Sequence, residues 1–195
     1  MALLLQGWSG LWIEANAAAV AEIRRQGAPV IEAGRLNVLE SFITRENINR
    51  LIVEGCRHRE VDLLSIDIDG NDLHIFKAIE CISPRVLVLE YNAKFPPPME
   101  FCIEYDPAHG WTGDDYFGAS LKSCEIACAD RGYCLVGCSL TGANAFFVRQ
   151  DLVQDLFVAP FTAETHYEPP RYHLTSTSSG HPVSFKSLAH AVVQR

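Results

Sequence analysis

The sequence has no long hydrophobic run, no basic patch and no recognisable signal peptide. Its longest run of Lys and Arg is Arg24-Arg25, and its formal net charge is -8. Nucleic-acid-binding modules usually present a basic face, and a membrane-spanning helix needs about 20 apolar residues in a row. The opening MALLLQGW lacks the basic segment and the small-residue cleavage site of a signal peptide. These absences argue against nucleic acid and membrane as partners.

Cysteine is present in an odd number, 7 in a chain of 195 residues. An odd count without a secretory signal favours reduced thiols over a disulfide framework, so we expect a cytoplasmic protein. With 48% hydrophobic residues the chain can bury a sizeable core. We predict one folded domain over residues 1–150 and an irregular tail, residues 151–195, that packs on it.

Strand-like and helix-like segments alternate along the domain. Strand patterns cover Gly10–Ala15, Leu36–Ile43, Val61–Asp69 and Arg85–Asn92, and helical patterns follow the first three. A helical pattern over Ala119–Gly132 then leads into two strands, YCLVGCSL and NAFFVR, which a tight TGA turn joins. The pattern predicts an α/β three-layer sandwich with a mostly parallel sheet that ends in an antiparallel hairpin.

Polar side chains follow the predicted strands where each one ends. Glu14 closes the first strand, Asp67 and Asp69 follow the third, and Glu90 and Asn92 end the fourth. Parallel strands end at the same edge of a sheet, so we expect these side chains to converge on a small-molecule site.

Each acid also has a structural interpretation. Glu14 is placed to accept two hydrogen bonds from a ribose diol, or else to cap the helix that follows it. Asp72 belongs to a DGND turn, which suits a residue that stabilises the first turn of the next helix. Asp67 closes a hydrophobic strand, where a charge must face a polar cleft or be paired.

A long connection rich in Pro and aromatic residues follows the fourth strand. Its length and position are typical of a substrate loop, although the FPPP segment would also stiffen it. We therefore predict that Glu90, Tyr91 and Lys94, at the start of this connection, bind the substrate.

Four segments resemble FkbM-type methyltransferases. GWSGLWIEANAAAVAEI is similar to that family's second-strand region, in which Gly-Trp, a short strand and Glu-Pro-Asn precede a helix. VDLLSIDIDGNDLHIFKAI and ISPRVLVLEYN resemble the next strand regions, and SLKSCEIACADRGYCLVGCSLTGANAFFVR resembles the last helix and closing hairpin. The resemblance covers about Gly7 to Arg149, and it implies a Rossmann-like class I fold that binds S-adenosylmethionine.

The resemblance also implies roles for particular residues. Glu14 would hold the ribose hydroxyls of S-adenosylmethionine, Phe42 to Thr44 would lie near the adenine, and Asp67 and Asp69 would border the methyl-transfer pocket. Asp67, Asp69 and Asn92 are the candidate catalytic residues. The methyl acceptor would be a hydroxyl of a small molecule or a glycan-like compound, and this interpretation needs no metal ion.

The sequence departs from the family at its start. The family's first strand and Gly-rich turn have no counterpart before Gly7, and EAN replaces Glu-Pro-Asn. The resemblance implies that this strand lies between those that carry Glu14 and Asp67. We therefore expect an N-terminally truncated methyltransferase, with weak or absent cofactor binding if the chain is complete. A sheet without its middle strand exposes unpaired edges, which predicts a homodimer.

Two alternatives remain open. IDIDGND also resembles the Asp-x-Asp-Gly-Thr motif of haloacid-dehalogenase-type phosphatases, in which Asp67 would be the nucleophile, Asp69 the acid/base and Mg²⁺ the phosphate partner. Asn71 stands where that motif has Thr, and the motif follows the third strand pattern. The second alternative is a domain without catalysis that acts as an interaction module.

Overall fold

The computed structural model describes residues 2–56 and 60–171. Its strands are β1 (Gly10–Glu14), β2 (Leu36–Glu40), β3 (Leu63–Ile66), β4 (Val86–Glu90), β5 (Tyr133–Cys138) and β6 (Asn144–Arg149). Its helices are α1 (Ala2–Leu5), α2 (Ala17–Gln26), α3 (Ala28–Glu32), α4 (Ile48–Gly55), α5 (Asp72–Ala78), α6 (Leu121–Ala129), α7 (Gln150–Val153) and α8 (Ala163–His166).

The described residues form two compact units. The first contains those up to Glu60 together with Ala78–Ser83. In it β1 and β2 pair in parallel, with Glu14 opposite Glu40 at the strand ends. Helix α2 begins at Ala17, because the Asn16 side chain accepts hydrogen bonds from the backbone N–H groups of its first turn, at 2.9 and 3.1 Å. The buried core of this unit includes Leu4, Val20, Leu36 and Val38.

The second unit contains Val61–Lys77 and the described residues from Pro84 onward. Its four-stranded sheet has the order β3-β4-β6-β5. β3 and β4 are parallel, whereas β6 is antiparallel to both β4 and β5. β6, the second strand of the hairpin, therefore lies between β4 and β5. Its fully buried core includes Leu73, Ile75, Leu87, Leu89, Leu121, Leu135 and Phe147.

The α/β class that the alternating pattern predicts is confirmed; the two-stranded sheet is parallel and the four-stranded sheet is mixed. We expected one sheet, but the described strands form two, since β1 pairs only with β2 and β3 only with β4 within residues 2–56 and 60–171. The predicted homodimer stays a prediction.

Across the residues that the structure describes, no helix is both long and apolar enough to cross a bilayer. All seven cysteines are free thiols.

The described part of the tail is bound to the second unit. The Tyr91 hydroxyl donates to the Glu168 carbonyl at 2.7 Å, and the Arg171 backbone N–H donates to the Thr141 carbonyl at 2.8 Å. Residues 172–195, the rest of the predicted tail, lie outside the described residues. The packing of the segment up to Arg171 depends on the turn between β5 and β6.

We predict that Gly142→Ala lowers the free energy of unfolding by about 2 kcal/mol, measured by urea denaturation. Gly142 has φ +73, and a Cβ there would lie 2.4 Å from the Pro169 carbonyl oxygen. A side chain at position 142 would therefore strain the backbone and clash with the Pro169 carbonyl. Gly137→Ala is the matched control in the same hairpin, because a Cβ there meets nothing within 4 Å. Equal stabilities of the two variants would contradict this packing.

Candidate functional site

A short turn after β3, residues Asp67–Asp72, carries three aspartates; we call it the acidic turn. Asp72 is 1% exposed, and its carboxylate accepts backbone hydrogen bonds from Ile68 and Gly70, each at 2.9 Å. Asp72 therefore closes the turn from inside, through backbone groups that precede α5. Burial raises the pKa of Asp72 to about 6, against the lowering effect of these hydrogen bonds.

Asp67 and Asp69 lie at the surface of the acidic turn, and Glu90 joins them from the end of β4. Carboxylate oxygens from the three residues lie within 4.8 Å of one another. The parallel register of β3 and β4, which sets Ile66 opposite Leu89, explains why residues at the two strand ends meet. The structure thus brings together three of the predicted site residues, and we call Asp67, Asp69 and Glu90 the carboxylate cluster.

Glu90 differs from its neighbours in protonation. One of its carboxylate oxygens is enclosed and has no hydrogen-bond partner among the described residues. Burial, followed by the charges of Asp72, Asp67 and Asp69, raises the pKa of Glu90 from 4.5 to about 9. Glu90 therefore carries a proton at neutral pH and can donate a hydrogen bond. Desolvation, and next the charge of Asp69, also raises the pKa of Asp67.

The carboxylate cluster can act chemically in two ways. Beside a protonated Glu90, the ionised aspartates can accept hydrogen bonds or protons from a ligand hydroxyl. The same oxygens are also the type of ligand that Mg²⁺ or Ca²⁺ prefers, and a bound cation would favour the ionised form of Glu90.

Asn92, Tyr91 and Lys94 have internal partners. Asn92 is 0% exposed and donates to the carbonyls of Asp115 and Phe117, at 2.8 and 3.1 Å. The Tyr91 ring is also buried, and Lys94 Nζ lies 3.4 Å from Asp115 Oδ2. In this conformation both N–H groups of the Asn92 amide are occupied. The catalytic role of Asn92 and the substrate roles of Tyr91 and Lys94 stay predictions.

The connection after β4, residues 93–118, is a packed lobe. Phe95, Phe101 and Ile103 form a small buried core, against which Tyr116 packs. The rings of Phe95 and Phe101 stack with centroids 3.9 Å apart. This segment, which we call the aromatic lobe, therefore has a core of its own. Sequence reasoning predicted a substrate loop here and had no signal for that core, because its residues are scattered among prolines and acids.

The aromatic lobe is attached to the acidic turn at several points. Asn71 Nδ2 donates to the Asp106 carbonyl at 2.8 Å, and the Gly118 N–H donates to the Gly70 carbonyl at 3.1 Å. The His109 ring fills the space beside Gly70, and its enclosed Nε2 has no hydrogen-bond partner among the described residues. Sequence reasoning missed His109, since nothing in DPAHGW distinguishes it from an ordinary loop residue.

The predicted cofactor residues Glu14, Phe42 and Thr44 belong to the first unit. One Glu14 oxygen accepts the Asn16 N–H at 2.8 Å, so Glu14 supports the start of α2. Phe42 is 51% exposed, and the Thr44 N–H donates to the Asn47 side chain at 2.8 Å. The common edge that we expected for Glu14 and Asp67 stays a prediction, because their strands belong to different sheets.

Comparison of the chain with protein-family models, with curated proteins and with solved structures gives no match. Any assignment of function therefore depends on the residues and their geometry.

A double-mutant cycle tests the contact between the aromatic lobe and the acidic turn. A Cβ at Gly70 would lie 2.2 Å from His109 Cδ2. We predict that Gly70→Ala costs about 1–3 kcal/mol of unfolding free energy, and that most of this cost disappears when His109 is also replaced by Ala. Gly110→Ala is the control within the lobe, because its Cβ would be in open space. Additive effects of the two substitutions would show that the ring does not lie beside Gly70.

The raised pKa of Glu90 predicts a pH dependence of stability. Between pH 4.5 and about 9 the unfolded chain loses this proton while the folded chain retains it. Glu90 then lowers the unfolding free energy as pH rises, by at most about 1.4 kcal/mol per pH unit. We predict that Glu90→Gln becomes progressively more stable than the wild type from pH 5 to pH 9 in urea denaturation. Glu100→Gln, which removes an exposed carboxylate of the same unit, provides the baseline. Parallel pH profiles of wild type and Glu90→Gln would refute the buried, protonated state.

Proposed function

We propose that this chain has a methyltransferase fold and transfers a methyl group from S-adenosylmethionine to a hydroxyl oxygen. The carboxylate cluster at the ends of two parallel strands is the observation that carries this proposal. The resemblance implies an acidic border to the methyl-transfer pocket at these positions. A positively charged sulfonium donor is favoured beside carboxylates, and a hydroxyl acceptor needs groups that accept its proton.

The strand order also supports the proposal. Two parallel pairs, β1 with β2 and β3 with β4, precede an antiparallel hairpin, in the order along the chain that the resemblance implies. β1 and β3 each have one strand neighbour among the described residues, which is compatible with the further strand expected in a Rossmann-like sheet. We infer that, within the α/β class, the chain has the class I methyltransferase fold.

The donor side of the reaction is assigned to the first unit. Glu14 accepts one backbone hydrogen bond, and a carboxylate has the capacity to accept others, such as those from ribose hydroxyls. Phe42, exposed shortly after β2, offers an aromatic face to an adenine ring. Thr44 follows Phe42 and is the third residue of this unit to which the resemblance gives a cofactor role.

The acceptor side is assigned to the acidic turn. In the reaction the acceptor oxygen forms a bond to the methyl carbon while the bond between that carbon and sulfur breaks. The electron pair of the broken bond remains on sulfur. The hydroxyl proton passes to an ionised aspartate, and the raised pKa of Asp67 makes it a stronger base than a fully solvated aspartate. Protonated Glu90 can donate a hydrogen bond that orients the acceptor. Catalysis of this type depends mainly on alignment of the attacking oxygen with the methyl group.

A phosphatase is the second candidate, because the carboxylate cluster could hold Mg²⁺ with oxygens of Asp67, Asp69 and Glu90. Asp67 would then attack phosphorus and Asp69 would transfer protons. Asn71 weakens this alternative, since its side chain is buried and donates to the aromatic lobe where the phosphatase motif has a hydroxyl residue.

Isothermal titration calorimetry with S-adenosylmethionine tests the proposal. We predict measurable binding by the wild type and a dissociation constant at least about tenfold larger for Glu14→Gln, which weakens a charge-assisted hydrogen bond. Glu54→Gln is the matched control, because Glu54 lies in an exposed ion pair with Arg50 on α4. Equal affinities of the two variants would remove Glu14 from the cofactor site. An absence of binding, combined with Mg²⁺-dependent hydrolysis of p-nitrophenyl phosphate, would favour the phosphatase; an absence of both would favour an interaction module.

A further inference from the structure

The outer edge of β2 has no strand partner among the described residues, since β2 pairs only with β1. The Arg35 carbonyl accepts the Gly10 N–H at 2.9 Å, just before β2 begins. The Ser41 N–H donates to the Glu14 carbonyl at 3.0 Å, just after β2 ends. In a parallel strand the N–H and C=O of one residue point to the same side, and this side alternates from residue to residue. Val38, an odd number of positions from both Arg35 and Ser41, therefore points its N–H and C=O away from β1.

A groove lies beside this edge and is lined by residues of α2, α3 and β2. Its volume is about 270 Å³. The lining is apolar at Ala28, Ile31 and Val38 and charged at Arg24 and Glu32. Sites for drug-sized ligands have volumes of roughly 300–1,000 Å³, so this groove is better suited to a side chain of a larger partner.

Both charged side chains of the groove are exposed and have no ion pair within residues 2–56 and 60–171. Arg24 Nη2 lies 3.4 Å from the Val38 carbonyl oxygen, which is long for an N–H···O bond. The neighbouring Arg25, by contrast, is paired with Glu22. The groove therefore offers one positive charge, at Arg24, and one negative charge, at Glu32, to a partner.

These features match the addition of a strand to the edge. The Val38 N–H has no hydrogen-bond partner among the residues that the structure describes, and an unpaired edge is a template for an extended chain. A second copy of this chain fits poorly, because β2 paired with itself about Val38, its middle residue, would bring two Arg24 side chains together. Charge complementarity instead favours a segment that carries one acidic and one basic side chain.

We propose that the β2 edge is the docking site for an extended segment of another protein, which adds as a strand beside Val38. One apolar side chain of the segment enters the groove against Ile31. The side chains two residues before and after it lie on the same face of the added strand, where an acidic one pairs with Arg24 and a basic one with Glu32. This interface uses none of the residues assigned to methyl transfer, so it does not rest on the proposed function.

Amide hydrogen exchange of the full chain, measured by NMR, tests the interface. The probes are acetyl-Thr-Lys-Thr-Val-Thr-Asp-Thr-amide and acetyl-Thr-Asp-Thr-Val-Thr-Lys-Thr-amide, which present the same side chains in the two strand directions. We expect one of these peptides to slow exchange of the Val38 N–H by at least about tenfold, because that N–H gains an acceptor. The N–H groups of Asn37 and Leu39, which point to β1, should change little.

Charge exchange provides the matched variants. Arg24→Glu should weaken binding of the preferred peptide by at least about tenfold. The same peptide with Lys in place of Asp should bind this variant more tightly than it binds the wild type, which shows that the variant is folded. Arg25→Glu is the control, because Arg25 pairs with Glu22 and does not line the groove.

Three results would overturn the proposal. The first is unchanged Val38 exchange in the wild type with both peptides. The second is an equal loss of binding in Arg24→Glu and Arg25→Glu. The third is Val38 exchange that slows with protein concentration in the absence of peptide, since it would assign the edge to a second copy.

Discussion

The buried carboxylate of Asp72 is the interaction on which the candidate site depends. It accepts the N–H groups of Ile68 and Gly70, and so folds the chain into a turn directly after β3. Asp69 adopts φ 57 in this turn, a conformation that Asp tolerates better than most residues. Because Asp72 takes the inner position, Asp67 and Asp69 are left at the surface. One aspartate thus has a structural role, and it places the other two where they can act on a ligand.

The aromatic lobe makes the acidic turn part of a rigid surface. Its small core of Phe95, Phe101 and Ile103 gives it internal stability, and the Asn92 amide holds the end of the lobe by donating to two backbone carbonyls. A ligand at the turn would therefore meet a preformed surface, which lowers the entropic cost of binding. The acidic turn and the His109 ring are held by this one arrangement of loop and turn.

Sequence reasoning located the strands and the acidic strand ends, because hydrophobic runs and the parallel register of β3 and β4 determine where Asp67 and Glu90 meet. It could not locate residues whose role depends on loop packing. Asn92 was predicted to be catalytic and Lys94 to bind the substrate, and both roles stay predictions. Their bonds to the aromatic lobe had no signal in the sequence, because they form only after 20 or more intervening residues fold back. His109 gave no signal, since a loop residue becomes important through its neighbours in space. The division of the strands between two sheets was also not predicted, because periodicity shows that a strand exists and not which strand it pairs with.

The central claim is that the acidic turn faces the reacting part of a methyl donor. A crystal structure of the chain with S-adenosylhomocysteine, the product left after methyl transfer, tests this most directly. The account predicts that the sulfur atom of the product lies beside the carboxylates of Asp67 and Asp69. A bound product whose sulfur is remote from both carboxylates would contradict it.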